Sequence, residues 1–177
     1  LWESNEKGKR GIYTCVVNKK KSTNPVRLTD TNFNSYNPTI VALPNGDIFA
    51  AWDSVRDKSA DIYGTWCKNG KWQKETKLTS DSRIEKHPFL TNWKNEIWMC
   101  WEAQSYLENY SNNLTEQRII VAKLQDDKLF IPKRLFECVS PDTHAGSQNT
   151  DTPWIAYYEK NPEKKYNLVR PRIKFDK

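Results

Sequence analysis

The sequence predicts an all-β protein, and three observations support this. The 177 residues include eight Trp and eight Tyr but only six Gly and one Met, a composition that favours strands. Helical periodicity of apolar residues is absent. A unit of about fifty residues recurs, and each unit contains four short apolar segments separated by turn residues. Four antiparallel strands per repeat of this length are typical of the blades of a β-propeller.

An aromatic anchor is the clearest landmark of the repeat. It occurs at Trp2, Trp52, Trp101 and Tyr158, so consecutive anchors lie 50, 49 and 57 residues apart. The next apolar strand begins ten residues after the anchor in three units but eighteen after it in the third. The third unit therefore carries an eight-residue insertion between 103 and 118.

Two further landmarks fix the register of each unit. A Leu follows the second apolar strand by sixteen residues at Leu28, Leu78 and Leu135, and Asn37-Pro38 or His87-Pro88 opens the first strand. Turns at 44–47, 68–71 and 93–96 separate the strands. In the second unit the predicted strands are 39–42, 48–52, 62–66 and 72–78.

The repeat divides the chain into one partial propeller domain, 1–177. Its units span about 2–36, 37–86, 87–140 and 141–177, which gives about three blades and one spare strand. Because propellers close with four to eight blades, we expect either a fragment of a longer protein or a ring completed by a second chain or copy.

The charge does not identify a partner. The net charge is +6, but the lysines are scattered through turns and form no single stripe, so solubility explains them. We therefore predict no nucleic-acid partner. The alternative is that loops on one side of the protein together present enough positive charge to bind a polyanion. No stretch of eighteen apolar residues occurs, so no membrane span is predicted, and the first residues lack a signal-peptide layout.

Four cysteines, Cys15, Cys67, Cys100 and Cys138, are widely spaced and form no CxxC pair. We therefore predict no metal site and no cofactor. The first three lie in apolar strand patterns, where a free Cys behaves as a small buried hydrophobe, but an even number also permits disulfides in an oxidising compartment.

Several segments together resemble the BNR and sialidase-like propeller repeats. They are the anchor followed by an acid, the strand opening Asp61-Ile62-Tyr63 and the closing segment Leu78-Thr79-Ser80. Residues 59–66 approximate the Asp-box S-x-D-x-G-x-x-W, with Gly64 one position late. The resemblance implies a glycan or oligosaccharide ligand and an extracellular or periplasmic location. It implies a sialidase-like glycoside hydrolase or, alternatively, a non-catalytic lectin or protein-binding propeller.

A ligand site is expected where the first strand of each unit begins and the second ends, because antiparallel neighbours bring these ends to one edge. The loop at 79–87 supplies the candidate catalytic residues Asp81, Glu85 and His87, which a solvated turn would also explain. The candidate substrate-binding residues, chosen as polar, aromatic or guanidinium groups able to hold a sugar, are Arg83, Tyr36, Asn37, Arg56, Arg118 and His144.

Residues that recur in every unit are interpreted as architectural. The acids after the anchors, Glu3, Asp53, Glu102 and Glu159, are assigned to hairpin-loop polar groups. Trp52 and Trp101 are assigned to the core rather than to sugar stacking.

The insertion and the fourth unit leave alternatives open. The insertion contains N-glycosylation acceptors at Asn109 and Asn113, or it forms a binding or lid loop with Tyr106, Tyr110 and Arg118. The polar stretch 141–149 either lines a wet channel or is irregular.

Overall fold

The computed structural model describes residues 1–5, 8–57, 59–80, 82–106, 114–125, 128–130, 136–137, 140–146, 154–160 and 166–169. Side chains are described within 1–5, 8–57, 59–80, 82–105, 118–125 and 128–129. All regular elements in these ranges are β-strands, which confirms the all-β prediction. The same ranges contain no helix long and apolar enough to cross a membrane.

The strands form four antiparallel sheets that follow one another along the chain. The first sheet contains β1 (Trp2–Ser4), β2 (Gly11–Thr14) and β3 (Val26–Arg27). The second contains β4 (Asn34–Ala42), β5 (Ile48–Arg56), β6 (Ser59–Lys68), β7 (Lys71–Trp72) and β8 (Thr76–Lys77). The third contains β9 (Ile84–Trp93), β10 (Glu96–Tyr106), β11 (Leu114–Gln125), β12 (Lys128–Phe130) and β13 (Phe136–Glu137). The fourth contains β14 (Ser140–Gly146), β15 (Trp154–Lys160) and β16 (Tyr166–Val169).

Within a sheet, consecutive strands pair with each other. The second sheet has the order β4, β5, β6, β7, and β8 also pairs with β6. The third sheet repeats this arrangement, with β13 pairing with β11 as β8 pairs with β6. The outer strand of each of these sheets is therefore built from two short pieces.

The core lies between consecutive sheets. Along β5, successive side chains point to opposite faces, so Ala50 and Trp52 face one neighbouring sheet while Phe49 and Ala51 face the other. Trp52 is 0% exposed and Trp101 is 1% exposed, which confirms that both anchors belong to the core. Each anchor buries a large apolar surface at the centre of its sheet.

A pair of hydrogen bonds explains the sixteen-residue spacing between the second apolar strand and the following Leu. The Leu28 amide donates to the Ile12 carbonyl over 2.8 Å, and the Leu78 amide donates to the Ile62 carbonyl over 2.8 Å. The next residue completes each pair, because the Ile12 amide donates to Thr29 Oγ1 and the Ile62 amide to Thr79 Oγ1. Leu135 lies outside the described residues.

The predicted turns occupy their expected places. Asn69 and Gly70 have φ values of 51° and 73°, and Lys94 and Asn95 have φ values of 50° and 64°. Two consecutive positive φ angles are the signature of a type I′ turn, whose twist matches that of the strands it joins. At the remaining turn, the Leu43 amide donates to the Asp47 carbonyl over 2.8 Å.

The strands extend further than the sequence predicts. We expected a hairpin loop at 53–61, but β5 and β6 remain paired as far as Arg56 and Ser59. The polar residues Asp53, Ser54 and Asp61 suggested a loop, yet all three are buried in strands because other residues supply their partners. The loop prediction was therefore wrong in its bounds.

The third unit keeps the register of the second, because Glu102 pairs with Ile119 as Asp53 pairs with Ile62, whereas in the fourth unit Leu168 pairs with the anchor Tyr158 itself. The insertion falls between β10 and β11, and residues 107–113, which include Asn109, Tyr110 and Asn113, lie outside the described residues. Residues 140–146 of the fourth unit form a strand whose pairing with β15 shifts register between Ser140 and His144, and residues 147–149 lie outside the described residues.

Within the described residues, Cys15, Cys67 and Cys100 form no disulfide. Cys67 and Cys100 are buried and Cys15 is partly buried, as expected for small hydrophobes in strands. Burial raises the pKa of the Cys67 thiol and so keeps it protonated. Cys138 lies outside the described residues.

Candidate functional site

Asn37 and His87 occupy the same position in the second and third sheets, and both have a left-handed backbone with a φ of 52°. Each precedes a proline in the first strand of its sheet and lies at a break in the pairing register. Asn and His are among the residues that tolerate this conformation best. The break turns each backbone amide out of its own sheet, as bulges next to functional sites commonly do.

The Asn37 amide is directed towards the first sheet. It donates to Glu3 Oε1 over 2.7 Å, while the Asn37 side-chain Nδ2 donates to Asp53 Oδ1 over 2.7 Å. Arg10 holds the other oxygen of Glu3 over 3.0 Å. Asn37 thus joins the acid of the first sheet to the acid of its own sheet.

His87 repeats this arrangement at the next boundary. Its backbone amide donates to Asp53 Oδ1 over 3.0 Å, and its ring Nδ1 lies 2.7 Å from Glu102 Oε1. Because an ionised carboxylate only accepts hydrogen bonds, Nδ1 carries a proton and donates to Glu102. We call the chain of residues Glu3, Asn37, Asp53, His87 and Glu102 the polar belt.

Burial differs along the polar belt. Asp53 and Glu102 are 2% and 3% exposed, whereas the His87 side chain is 45% exposed. The imidazole therefore projects from a buried carboxylate pair towards solvent, and Nε2 hydrogen-bonds to no residue in the part of the chain that the structure describes. His87 is the group of the belt best placed to meet a ligand.

The environment shifts the titration of two belt residues. The hydrogen bond from Nδ1 to Glu102 raises the pKa of His87, and partial burial opposes that rise. Burial raises the pKa of Asp53, opposed by the hydrogen bonds from Asn37 and the His87 backbone. The raised pKa of His87 favours the protonated imidazole more than in a free histidine.

Glu85 is the other described member of the predicted catalytic cluster. It is 2% exposed, and its Oε1 accepts a hydrogen bond from Trp101 Nε1 over 2.8 Å. Glu85 therefore lies in the interior, where it fixes the anchor of the third sheet. Asp81 lies outside the described residues.

The predicted substrate-binding residues fall into different environments. Tyr36 pairs with Asp53 in the backbone ladder, and its ring lies 5.3 Å from the Arg10 guanidinium. Arg56 forms an ion pair with Glu75 over 2.8 Å and lies 3.7 Å from the centre of the Tyr63 ring. Both groups are already engaged by neighbouring residues of the chain.

The remaining predicted residues are placed mainly by their backbones. The Arg83 carbonyl accepts a hydrogen bond from Ser59, and Arg118 lies on β11 opposite Ala103. His144 lies on β14 opposite Ala156, and its side chain falls outside the described side chains.

Sequence reasoning identified Asn37 and His87 but assigned Glu3, Asp53 and Glu102 to hairpin loops. Two features of the sequence that recur from unit to unit would have identified these acids. An acid follows the anchor in every unit, and an Asn-Pro or His-Pro opens the first strand of two units. Since these two positions meet at one edge of an antiparallel sheet, the pairs should have been read together.

The described His, Cys, Asp and Glu side chains are the groups that could bind a metal ion. Among them, no group of three or more His, Cys, Asp or Glu residues is placed to hold a metal ion. The His87 ring is instead oriented by a carboxylate.

Comparisons with known proteins concern the architecture. No protein-family model matches the sequence, and no curated protein matches it. The crystal structure of an endo-arabinase from Bacteroides thetaiotaomicron VPI-5482 is similar, with a TM-score of 0.54 and 10% sequence identity. The match covers 98% of this chain and 74% of that chain. The likeness is one of fold.

Proposed function

We propose that this chain forms part of a β-propeller that processes glycans. The four consecutive antiparallel sheets would be complete or partial blades, about three blades and one spare strand in all, and further blades would come from elsewhere in a longer protein or from a second chain. The fifty-residue repeat, the face-to-face packing of the sheets and the likeness to an endo-arabinase support this proposal.

The enzymatic form of the proposal is a glycoside hydrolase in which His87 acts as a general acid or base. The observation that carries it is the 2.7 Å contact between His87 Nδ1 and the buried Glu102. Such a contact fixes the tautomer and orientation of the imidazole and leaves Nε2 to exchange a proton with a substrate. General acid or base catalysis of this kind typically contributes about 10²-fold to 10⁴-fold in rate.

A sialidase-like hydrolase is the narrower form of the proposal. It requires guanidinium groups that can bind the carboxylate of an acidic sugar in a bidentate manner. The predicted candidates are Arg56, Arg83 and Arg118, and Arg56 forms an ion pair with Glu75 over 2.8 Å.

A non-catalytic lectin is the alternative, and the repetition of the polar belt favours it. Asn37 and His87 have the same φ angle and make the same backbone contact to the acid of the preceding sheet. Repeated contacts are expected of architecture or of repeated binding pockets. The imidazole, which occurs at only one of the two positions, favours the enzyme.

The test compares hydrolysis of a panel of reporter glycosides with binding on a glycan array, using the complete protein. We expect His87→Ala to lower kcat/KM by about 10²-fold or more. The matched control is Asn92→Ala, which removes a hydrogen bond to the Ala42 carbonyl between the same two sheets, away from the belt. Binding without turnover would exclude the hydrolase and favour the lectin, and the absence of both would contradict the glycan proposal.

A further inference from the structure

We infer that Asp53 is a positioning residue that acts across the boundary between two sheets to hold His87 in its working conformation. Asp53 belongs to β5 of the second sheet, whereas His87 belongs to β9 of the third. The contact is from the His87 backbone amide to Asp53 Oδ1 over 3.0 Å. The inference rests on the proposed function, in which His87 is the residue that meets the glycan.

The backbone of His87 needs such a partner. A residue other than glycine at a φ of 52° is in a sparsely populated region, and such a conformation persists only where surrounding contacts hold it. The same conformation removes the His87 amide from its own ladder, so the amide needs an acceptor elsewhere. A carboxylate is a stronger acceptor than a carbonyl, and Asp53 supplies it.

Asp53 is itself held rigidly. The Asn37 side chain donates to the same oxygen over 2.7 Å, and Asp53 is almost completely buried. An acceptor that cannot move fixes the direction of the amide that donates to it. The position of the imidazole is therefore set from two sides, with Asp53 holding the backbone and Glu102 holding the ring.

The charges around the imidazole come from three strands. Glu102 on β10 and Asp53 on β5 favour the protonated ring, whereas Lys86, the preceding residue on β9, disfavours it. Removal of Asp53 should therefore lower the pKa of His87 in two ways, because one negative charge is lost and the contact between the ring and Glu102 is loosened.

The first boundary shows which part of this arrangement is structural. Glu3 holds the Asn37 backbone over 2.7 Å in the same way, but Asn37 carries an amide that does not titrate. The backbone contact is thus common to both boundaries, and the group able to transfer a proton occurs only at the second. Loss of the Asp53 charge lowers the pKa of His87 in Asp53→Ala and Asp53→Asn alike, so a larger change in Asp53→Ala reports the loss of the acceptor that positions His87.

The test is an NMR titration of the His87 imidazole in the complete protein, run beside the reporter-glycoside assay. This chain contains two histidines, so His144→Gln assigns the signals. We expect Asp53→Ala to lower the pKa of His87 and to reduce kcat/KM about tenfold. Asp53→Asn, whose amide oxygen can still accept the His87 amide, should lower the pKa less and retain more turnover than Asp53→Ala. Asn92→Ala should leave both unchanged.

The outcomes separate this inference from the proposed function. An unchanged His87 titration and rate in Asp53→Ala would overturn the inference and leave the proposed function intact. Absence of turnover in the unmodified protein would overturn the hydrolase, while the titration would still decide whether Asp53 positions His87. If Asp53→Ala does not fold, Asp53→Leu replaces it as the variant without an acceptor, and an equal His87 titration and rate in Asp53→Leu and Asp53→Asn would overturn the inference.

Discussion

At the scale of the residue, side chains at equivalent positions in neighbouring sheets make different hydrogen bonds. Trp52 and Trp101 are both buried anchors, but Trp101 Nε1 donates to Glu85, whereas Trp52 Nε1 is buried and bonds to none of the residues that the structure describes. Ser35 stands where Glu85 stands one unit later and bonds instead to Ser54. The third sheet therefore contains a buried polar contact that its neighbour lacks.

The matched variants Trp101→Phe and Trp52→Phe test the energetic value of this contact. Both remove the indole N–H and part of the ring, but only Trp101→Phe removes a hydrogen bond to a buried carboxylate. We expect Trp101→Phe to be more destabilising by about 1–3 kcal/mol. Urea denaturation of the two variants measures the difference, and equal losses would show that the contact to Glu85 contributes nothing.

At the scale of the element, the Leu-Thr pair that ends a unit joins the outer strand to the third strand by hydrogen bonds. The pairs are Leu28-Thr29 and Leu78-Thr79. In the second sheet the Ile62 amide donates to Thr79 Oγ1 over 2.9 Å in a buried environment. The first sheet repeats the contact with Ile12 and Thr29. A hydroxyl placed here satisfies an amide that the broken outer strand does not pair.

Thr79→Val tests the hydrogen bond from the Ile62 amide, because it retains the shape of the side chain and removes the acceptor. We expect a loss of about 1–3 kcal/mol in the free energy of unfolding, since a buried amide is left unsatisfied. Thr76→Val, at an exposed position of the adjacent strand, is the control and should change stability by less than about 0.5 kcal/mol. A loss in Thr79→Val no larger than in the control would contradict the role assigned to the hydroxyl.

Strand bounds show what the sequence could predict at this scale. The turns were found because Asn-Gly and similar pairs require positive φ angles that few residues adopt. The extent of β5 and β6 was missed because Asp53 and Asp61 look like loop residues when read alone. Asp53 accepts a hydrogen bond from Asn37 and Asp61 Oδ2 pairs with Lys77, and contacts between residues distant in sequence do not appear in local composition.

The Asp-box resemblance has a local explanation. Residues 59–66 lie in β6, and a Cβ on Gly64 would approach within 2.6 Å of the Phe49 ring and 3.0 Å of the Ala50 carbonyl. Packing against β5 thus accounts for the glycine one position later than the Asp-box pattern requires.

At the scale of the whole molecule, the sheets are joined by an apolar core and by polar contacts along their first strands. The polar belt joins three sheets at Asn37 and His87, each three residues after the start of its strand. Further along the same strands, Thr39 accepts from the Leu90 amide over 3.1 Å, and Asn92 donates to the Ala42 carbonyl. The repeat period predicted the sheets. It could not predict the belt, because each of its contacts joins residues about 15 or 34 positions apart.

The central claim is that His87, oriented by Glu102, is the residue that meets a glycan. The most direct measurement is an NMR titration of the complete protein with each glycan that binds on the array, following the Nε2 resonance of His87. The account predicts a saturable shift of that resonance with the same midpoint as binding. Saturable binding that leaves the His87 resonance unchanged would contradict it.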